Sequence, residues 1–424
     1  LHFPPDAVVR PATAEEVSRI LALCNGHRIP VTPRGGGTGL SGGALAVHGG
    51  VVLSIERMNR ILEVDQENLM GVVEPGVVTQ VYQEAVEAVG LYYPPDPASR
   101  GSCLMGGNVA ENAGGPHAVK YGVTKDWIIG LEVVLPTGEV IQTGGKLLKN
   151  VSGYNITQLM VGSEGTLGVV TKIITRLIPL PTHRRALLVP FDSLGAAARC
   201  ITALFHAKVI PSAAELMERS AIQAAEEHLG KKFPHGDAAA LVLLEVDGHD
   251  ESDIERQTER IAEVVTDLGI DDVFVADGPE QVRELWALRR SIGLAVKSIS
   301  IYKEEDTVAP RARLADLVDR VKEVSDRHGL TTICYGHAGD GNIHVNIIKV
   351  GISDEDWAQR LPVAIREMFG EVVKLGGQIS GEHGIGYVQK EFLPIAVSEA
   401  ELELCRRIKR AFDPNGILNP GKIF

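Results

Sequence analysis

Residues 33–43 read PRGGGTGLSGG, and six of these eleven positions are glycine. The stretch follows a short apolar segment, residues 29–32. Glycine lets the backbone take positive φ and admits a ligand with no Cβ in its way. Successive N–H groups in such a loop converge on an anion such as a pyrophosphate. No Lys-Ser/Thr pair closes the loop as in a P-loop, and no amphipathic helix opens directly behind it as in a dinucleotide-binding βαβ unit. On its own the composition also suits an ordinary surface turn.

Two more glycine-rich stretches favour a cofactor site: 106–115 (GGNVAENAGG) and 162–168 (GSEGTLG). Before the first stands Pro94-Pro95-Asp96-Pro97, whose prolines preset φ. Around these stretches, Thr13-Ala14-Glu15-Glu16 is a capping-box pattern that predicts a helix to about Leu23, with Gly26 beyond it. Residues 51–55, 71–74 and 167–178 read as strands, and 79–89 as a helix. A hairpin is expected around Thr137-Gly138. This mixture predicts an α+β cofactor domain ending near Pro181. From Ala186 the rhythm changes to two strand–helix–strand units of similar length, which predict one antiparallel sheet with helices on one face.

The chain has 424 residues, enough for two or three domains, with ordinary fractions of hydrophobic (44%) and charged (23%) residues. A net charge of −13 provides no basic stripe for nucleic acid. Cys24, Cys103, Cys200, Cys334 and Cys405 are scattered and never form a C-x-x-C pair. That pattern points to a reducing compartment and away from an iron–sulfur cluster or cysteine zinc site in this chain. No run of about 18 apolar residues and no signal peptide is readable. The chain opens at Leu1 without a methionine in what already reads as a domain, so preceding residues are expected, with room among them for a targeting segment.

The sharpest chemistry lies in residues 335–346, YGHAGDGNIHVN, and 380–386, SGEHGIG. His344 and Asn346 share a strand face because side chains alternate with period two. A glycine-rich turn can bend His337 towards that face, bringing two imidazoles within reach of one ion. With Glu382 they form a common ligand set for zinc, manganese or iron. A lone histidine in such a place is ordinarily a half-buried sheet residue; two histidines around Gly-Asp-Gly, followed by Glu-His-Gly, favour a metal.

The ordered glycine stretches and the two histidine segments resemble the vanillyl-alcohol-oxidase superfamily along essentially the whole chain. The closer resemblance is to its FAD-linked D-2-hydroxyacid dehydrogenase branch, which holds the glycolate oxidase D subunit, D-lactate dehydrogenases and D-2-hydroxyglutarate dehydrogenase. The resemblance implies a two-domain α+β flavoprotein. An FAD-binding domain is expected at 1–181, an antiparallel-sheet substrate or cap domain at 182–395, and a C-terminal segment, 396–424, returning to the FAD domain. In that branch the positions matching His337, His344 and Glu382 hold a divalent metal, and the one matching His383 is the proposed base. Arg289, Lys303 and Asn346 match substrate-binding positions, although by local sequence Arg289 and Lys303 also suit a solvated face.

For the flavin phosphates the resemblance implies Arg34, Gly35, Gly36, Gly37, Thr38, Gly39, Leu40 and Ser41. Along the cofactor it implies Pro95, Asp96 and Pro97, then Gly106, Gly107 and Asn108, then Asn112, Ala113, Gly114 and Gly115. Glu164, Gly165, Gly168, Val169 and, in the closing Asn-Pro-Gly-Lys motif, Asn419 complete the set. The first loop has no histidine and Cys103 is the nearby thiol, so FAD is expected to be held noncovalently.

The implied reaction is metal-assisted oxidation of a small 2-hydroxy acid, glycolate or D-lactate foremost, to the 2-oxo acid. D-2-hydroxyglutarate, or the sugar or ether-lipid substrates of other superfamily oxidases, are the alternatives. An electron-relay or scaffold subunit and a zinc hydrolase are weaker rivals. Electrons are expected to leave for an external acceptor: an iron–sulfur subunit, an electron-transferring flavoprotein, a quinone or a cytochrome. The expected location is cytoplasmic, peripheral to the inner membrane through a partner, or mitochondrial in a eukaryote. The oligomeric state is left open, a homodimer included.

Overall fold

The computed structural model describes residues 1–276 and 278–424. The chain forms two compact units. The first comprises Leu1–Gly115, Gly122–Leu180 and Glu382–Phe424, and the second Pro116–Tyr121 and Pro181–Gly381. The return to the first unit therefore starts at Glu382 and not at residue 396. Backbone pairing explains the shift: the Glu164 carboxylate accepts the N–H groups of Ile385 and Gly386, and the Ser41 carbonyl accepts those of Tyr387 and Val388. Residues 116–121 join the second unit because Lys120 and the Tyr121 hydroxyl both bind Asp247, and His117 meets Glu245.

The first unit opens with the helix Ala14–His27, whose Thr13 cap accepts the Glu16 N–H while Glu16 takes the Ala12 N–H. It runs past Gly26 and ends where Arg28 turns left-handed at φ 53°. Ala7–Val9, Val51–Ser54 and Val31–Arg34 make a three-stranded parallel sheet, with Val51–Ser54 in the middle. Pro33 is tolerated because its strand is an edge of that sheet. On that edge Leu418 bridges Val31, and Val17, Leu21, Leu53, Leu104, Ile417 and Leu418 share one buried cluster.

A second sheet in this unit runs Ile61–Asp65, Met70–Val73, Val169–Arg176, Ile128–Val134, Val140–Gly144, all antiparallel. The last pair is the hairpin expected at Thr137-Gly138. The glycine stretch 106–115 is not a loop throughout: Met105–Glu111 is helical, and Asn112 ends it in the left-handed region. Gly106 is there for close approach, since a Cβ on it would lie 2.6 Å from Pro75 Cβ.

The second unit is built on a seven-stranded antiparallel sheet. Its order is Phe274–Val275, His183–Phe191, Ala240–Gly248, Ala213–Glu218, Thr331–His337, Asn342–Ile348, Tyr302–Val308. Helices cover both faces, not one. Leu241 and Leu243 pack in one cluster with Ile222 and Ala225 of helix Arg219–Leu229 and Leu285, Leu288 and Ile292 of helix Pro279–Ile299. Alternation turns Val242, Leu244 and Val246 the other way, and they too are fully buried. Leu194–His206, Glu251–Asp267, Leu314–His328 and Asp354–Lys374 form the helical layer on that side. Continuous apolar runs such as LVLL in 241–244 mark a strand buried on both faces, a signal present in the sequence. Among the described residues no helix is long and apolar enough to cross a membrane.

Candidate functional site

In the second unit, strands Thr331–His337 and Asn342–Ile348 form a hairpin whose register sets Tyr335 opposite His344 and His337 opposite Asn342. His337, His344 and Asn346 consequently share one face. The two imidazoles sit diagonally, ring centroids 5.2 Å apart and planes at 86°. They are 6% and 5% exposed.

Neighbouring strands add carboxylates to this face. Glu215 lies opposite His337, and its Oε1 is 2.8 Å from His337 Nδ1. Asp306 lies opposite His344, and Glu304 opposite Asn346. Asp306 also ties in the turn before Glu382: it accepts the Gly381 N–H at 2.8 Å, the Ser380 hydroxyl at 3.0 Å and the Asn342 amide at 2.7 Å.

Helix Pro279–Ile299 covers the same face. Arg289 reaches Glu215 Oε2 through Nη2 at 2.5 Å and lies over the Tyr335 ring at 5.2 Å. One turn earlier Trp286 donates to Glu245 at 2.6 Å, and two turns later Lys297 pairs with Glu304 at 2.8 Å. Arg289 Nε is buried with no hydrogen-bond partner among the described residues. Burial alone would push the Glu215 carboxyl up, but the His337 ring hydrogen-bonded to it and the Arg289 guanidinium hold it below the usual carboxylate range. An Nδ1–H donated to Glu215 makes Nε2 the lone-pair nitrogen of His337, the form a metal ligand needs.

Lys303 is not brought to this face. It is one residue out of phase with Glu304 and Asp306, so it emerges on the opposite side, paired with the fully buried Glu305 at 2.9 Å. Glu215, Glu304, Asp306 and Tyr335 are additions that motif reading missed; the consecutive acids Glu304, Glu305 and Asp306 were a visible hint, whereas Glu215 stands in the short strand AAELME with no motif around it.

In the first unit the strand Val31–Arg34 opens into the glycine loop. Residues 35–40 stand half or fully exposed and offer mainly backbone amides, and Ser41 is buried with its Oγ unpartnered among the described residues. Gly36 needs its lack of a Cβ, which would come within 2.6 Å of the Ser102 carbonyl oxygen. Several side chains of the expected cofactor set are engaged inside the unit. Asn108 donates to Thr79, Asn112 accepts the Lys125 N–H, and Asn419 donates to the carbonyls of Gly43 and Glu164. Asp96 is buried between Pro95 and Pro97, and the Pro95 carbonyl accepts from Gln83. A bare run of amides beside a buried hydroxyl fits a pyrophosphate-bearing cofactor.

Glu382 and His383 begin the returning segment, with Glu382 Oε1 3.9 Å from His383 Nε2. The turn behind them is clamped by Glu164, as described above. Burial, with the Glu164 charge alongside, raises the Glu111 carboxyl well above its ordinary value. A raised folded value means that Glu111 keeps a proton which the unfolded chain releases, so its contribution is present in acid and fades as pH rises. Glu111→Gln should therefore flatten the fall in melting temperature between mildly acidic and alkaline pH; an unchanged slope would show that Glu111 ionises as in the unfolded chain.

Comparison with known proteins agrees along the full length. Residues 180–423 match the family described as FAD linked oxidases, C-terminal domain, and residues 5–144 match the FAD binding domain. The chain is 41% identical over 424 residues to the glycolate oxidase subunit GlcD of Bacillus subtilis (strain 168), covering 99% of this chain and 89% of that protein. It is 36% identical to a D-lactate dehydrogenase of Anaerostipes hadrus, with 99% and 89% covered. To the D-2-hydroxyglutarate dehydrogenase of Stutzerimonas stutzeri (strain A1501) it is 35% identical, with 100% and 92% covered. Among solved structures, p-cresol methylhydroxylase with substrate bound superposes with a TM-score of 0.81 at 18% identity, covering 98% of this chain and 88% of that one. That likeness is one of fold.

Proposed function

The chain belongs to the FAD-linked oxidases, and from that premise we propose that it oxidises a small 2-hydroxy acid to the 2-oxo acid, passing the electrons to an acceptor outside the chain. The observation that carries this reading is the buried face on which His337, His344, Glu215 and Arg289 meet. Arg289 presents an N–H with no partner among the described residues, in a planar fork that suits a substrate carboxylate, and the buried Asn346 lies on the same face. His337 and His344, with Glu382 as the next residue after the anchored Gly381, are the ligands for a zinc, manganese or iron ion. His383 is the base for the hydroxyl proton. The exposed amides of 35–40 are the cradle for the FAD phosphates. When bound, FAD accepts the hydride from the carbinol carbon, and a divalent ion draws electron density from the hydroxyl oxygen.

Glycolate and D-lactate are preferred to a dicarboxylate because this face already carries Glu215, Glu304 and Asp306, while Lys297 is engaged with Glu304. A second substrate carboxylate there would meet like charge. The names of the relatives support the same substrate class. The acceptor is an iron–sulfur subunit, an electron-transferring flavoprotein, a quinone or a cytochrome, since the five cysteines of this chain are scattered and free.

The test is anaerobic titration of purified protein with glycolate, D-lactate and D-2-hydroxyglutarate, before and after chelation. Bleaching of the flavin band at about 450 nm is expected with a monocarboxylate, lost on chelation and restored by metal. A flavin that none of the three reduces would discard the substrate class, and bleaching indifferent to chelator would discard the metal.

A further inference from the structure

Glu215 is fully buried, and its two oxygens face groups with different tasks, one through a hydrogen bond and the other through an ion-pair contact. Oε1 lies 2.8 Å from His337 Nδ1, and Oε2 lies 2.5 Å from Arg289 Nη2. The first contact is fixed by sheet register, because Glu215 and His337 are direct cross-strand partners. The second depends on helix Pro279–Ile299 lying over the same face. We infer that Glu215 is a positioning residue joining the two halves of the site, orienting His337 for the metal and Arg289 for the substrate carboxylate. This rests on the metal-assisted reading above.

The physical argument is specific to the carboxylate. Accepting the Nδ1–H of an imidazole fixes ring orientation and tautomer, and raises the basicity of the other nitrogen. Holding the guanidinium by one nitrogen leaves the rest of its donor fork for a second anion. A neutral amide in the same place keeps the volume but loses the charge that both partners face.

The same sheet face supplies a control. Glu245 is also buried, beside His117 Nε2 at 3.2 Å and Trp286 Nε1 at 2.6 Å, but contacts neither proposed ligand. If buried carboxylates here served only to hold the fold, neutralising either one would act alike.

The experiment uses the FAD-loaded protein stripped by chelator. Zinc affinity is measured by competition with a fluorescent chelator, and the cobalt-substituted absorption spectrum is recorded alongside. Glu215→Gln should weaken zinc binding about 10- to 100-fold, shift the cobalt bands and raise the KM for glycolate. Glu245→Gln should leave zinc affinity within about twofold, well short of the effect of losing an outer-shell partner. If Glu215→Gln fails to accumulate, Glu215→Asp, which keeps the charge but shortens the reach by one carbon, is judged by the same criteria.

Equal zinc affinity in the parent and the Glu215 variant, with His337→Ala abolishing binding, overturns the role of Glu215 alone. Equal losses in the Glu215 and Glu245 variants also overturn it, by reducing Glu215 to a fold-holding ion pair. A parent that takes up no zinc, manganese, iron or cobalt removes the metal-assisted reading and this inference together.

Discussion

His383→Ala slows reduction of the bound flavin by substrate roughly 10²- to 10⁴-fold, the usual contribution of a positioned general base, and leaves FAD content unchanged. The second half of this expectation follows from how the segment is held. The backbone behind His383 is clamped through the amides of Ile385, Gly386, Tyr387 and Val388, on Glu164 and the Ser41 carbonyl. None of these bonds uses the imidazole, so the segment keeps them when the ring is removed. The measurement is rapid-mixing flavin reduction at saturating substrate, with the visible spectrum reporting FAD content. A rate within a few-fold of the parent would move the base elsewhere. Loss of FAD would make His383 a structural residue.

Arg289→Ala carries the second large effect, and it acts on both stability and binding. The fully buried Glu215 would lose its guanidinium partner, and breaking a buried ion pair from one side costs about 3–5 kcal/mol. Substrate would lose its fork of donors, so KM for glycolate should rise about 10- to 100-fold, the equivalent of a charge-assisted hydrogen bond or two. The pH dependence has a definite sign. Glu215 is held below the ordinary carboxylate range, so its pairing stabilises the protein above that range and the benefit fades as pH falls through the folded value. The gap in melting temperature between parent and variant should accordingly be wide at neutral pH and narrow in acid. Arg289→Lys keeps the charge without the planar fork and should recover stability better than KM. An unchanged KM in the alanine variant would return Arg289 to a purely structural pair.

Much of the local architecture was legible. Thr13 caps the helix through the Glu16 N–H as its spacing predicts, with the Glu16 carboxylate reaching back one residue further to the Ala12 N–H, and Thr137-Gly138 sits between paired strands. His344 and Asn346 share a face because alternation within one strand is a local property. The glycine stretch 106–115 was harder, since composition alone does not separate a glycine that opens a loop from one, like Gly106, that lets a helix approach Pro75. Helices on both faces of the long sheet were hinted at by unbroken apolar strands such as Leu241 to Leu244, but the expected single helical layer overlooked them.

By itself the sequence determined the family, the glycine-rich loop and the histidine pair, all of which are written in contiguous residues. Tertiary structure decided which residues stand beside them. Glu215 precedes His337 by 122 positions, and only the pairing of two strands makes them neighbours. Lys303 and Glu304 are adjacent in the chain, yet the pleat sends them to opposite faces, so a shift of one residue separates the face that carries His344 and Asn346 from the one that does not. Periodicity within an element is set by local covalent geometry. Register between elements is set by packing across the whole unit, which no short stretch of sequence contains.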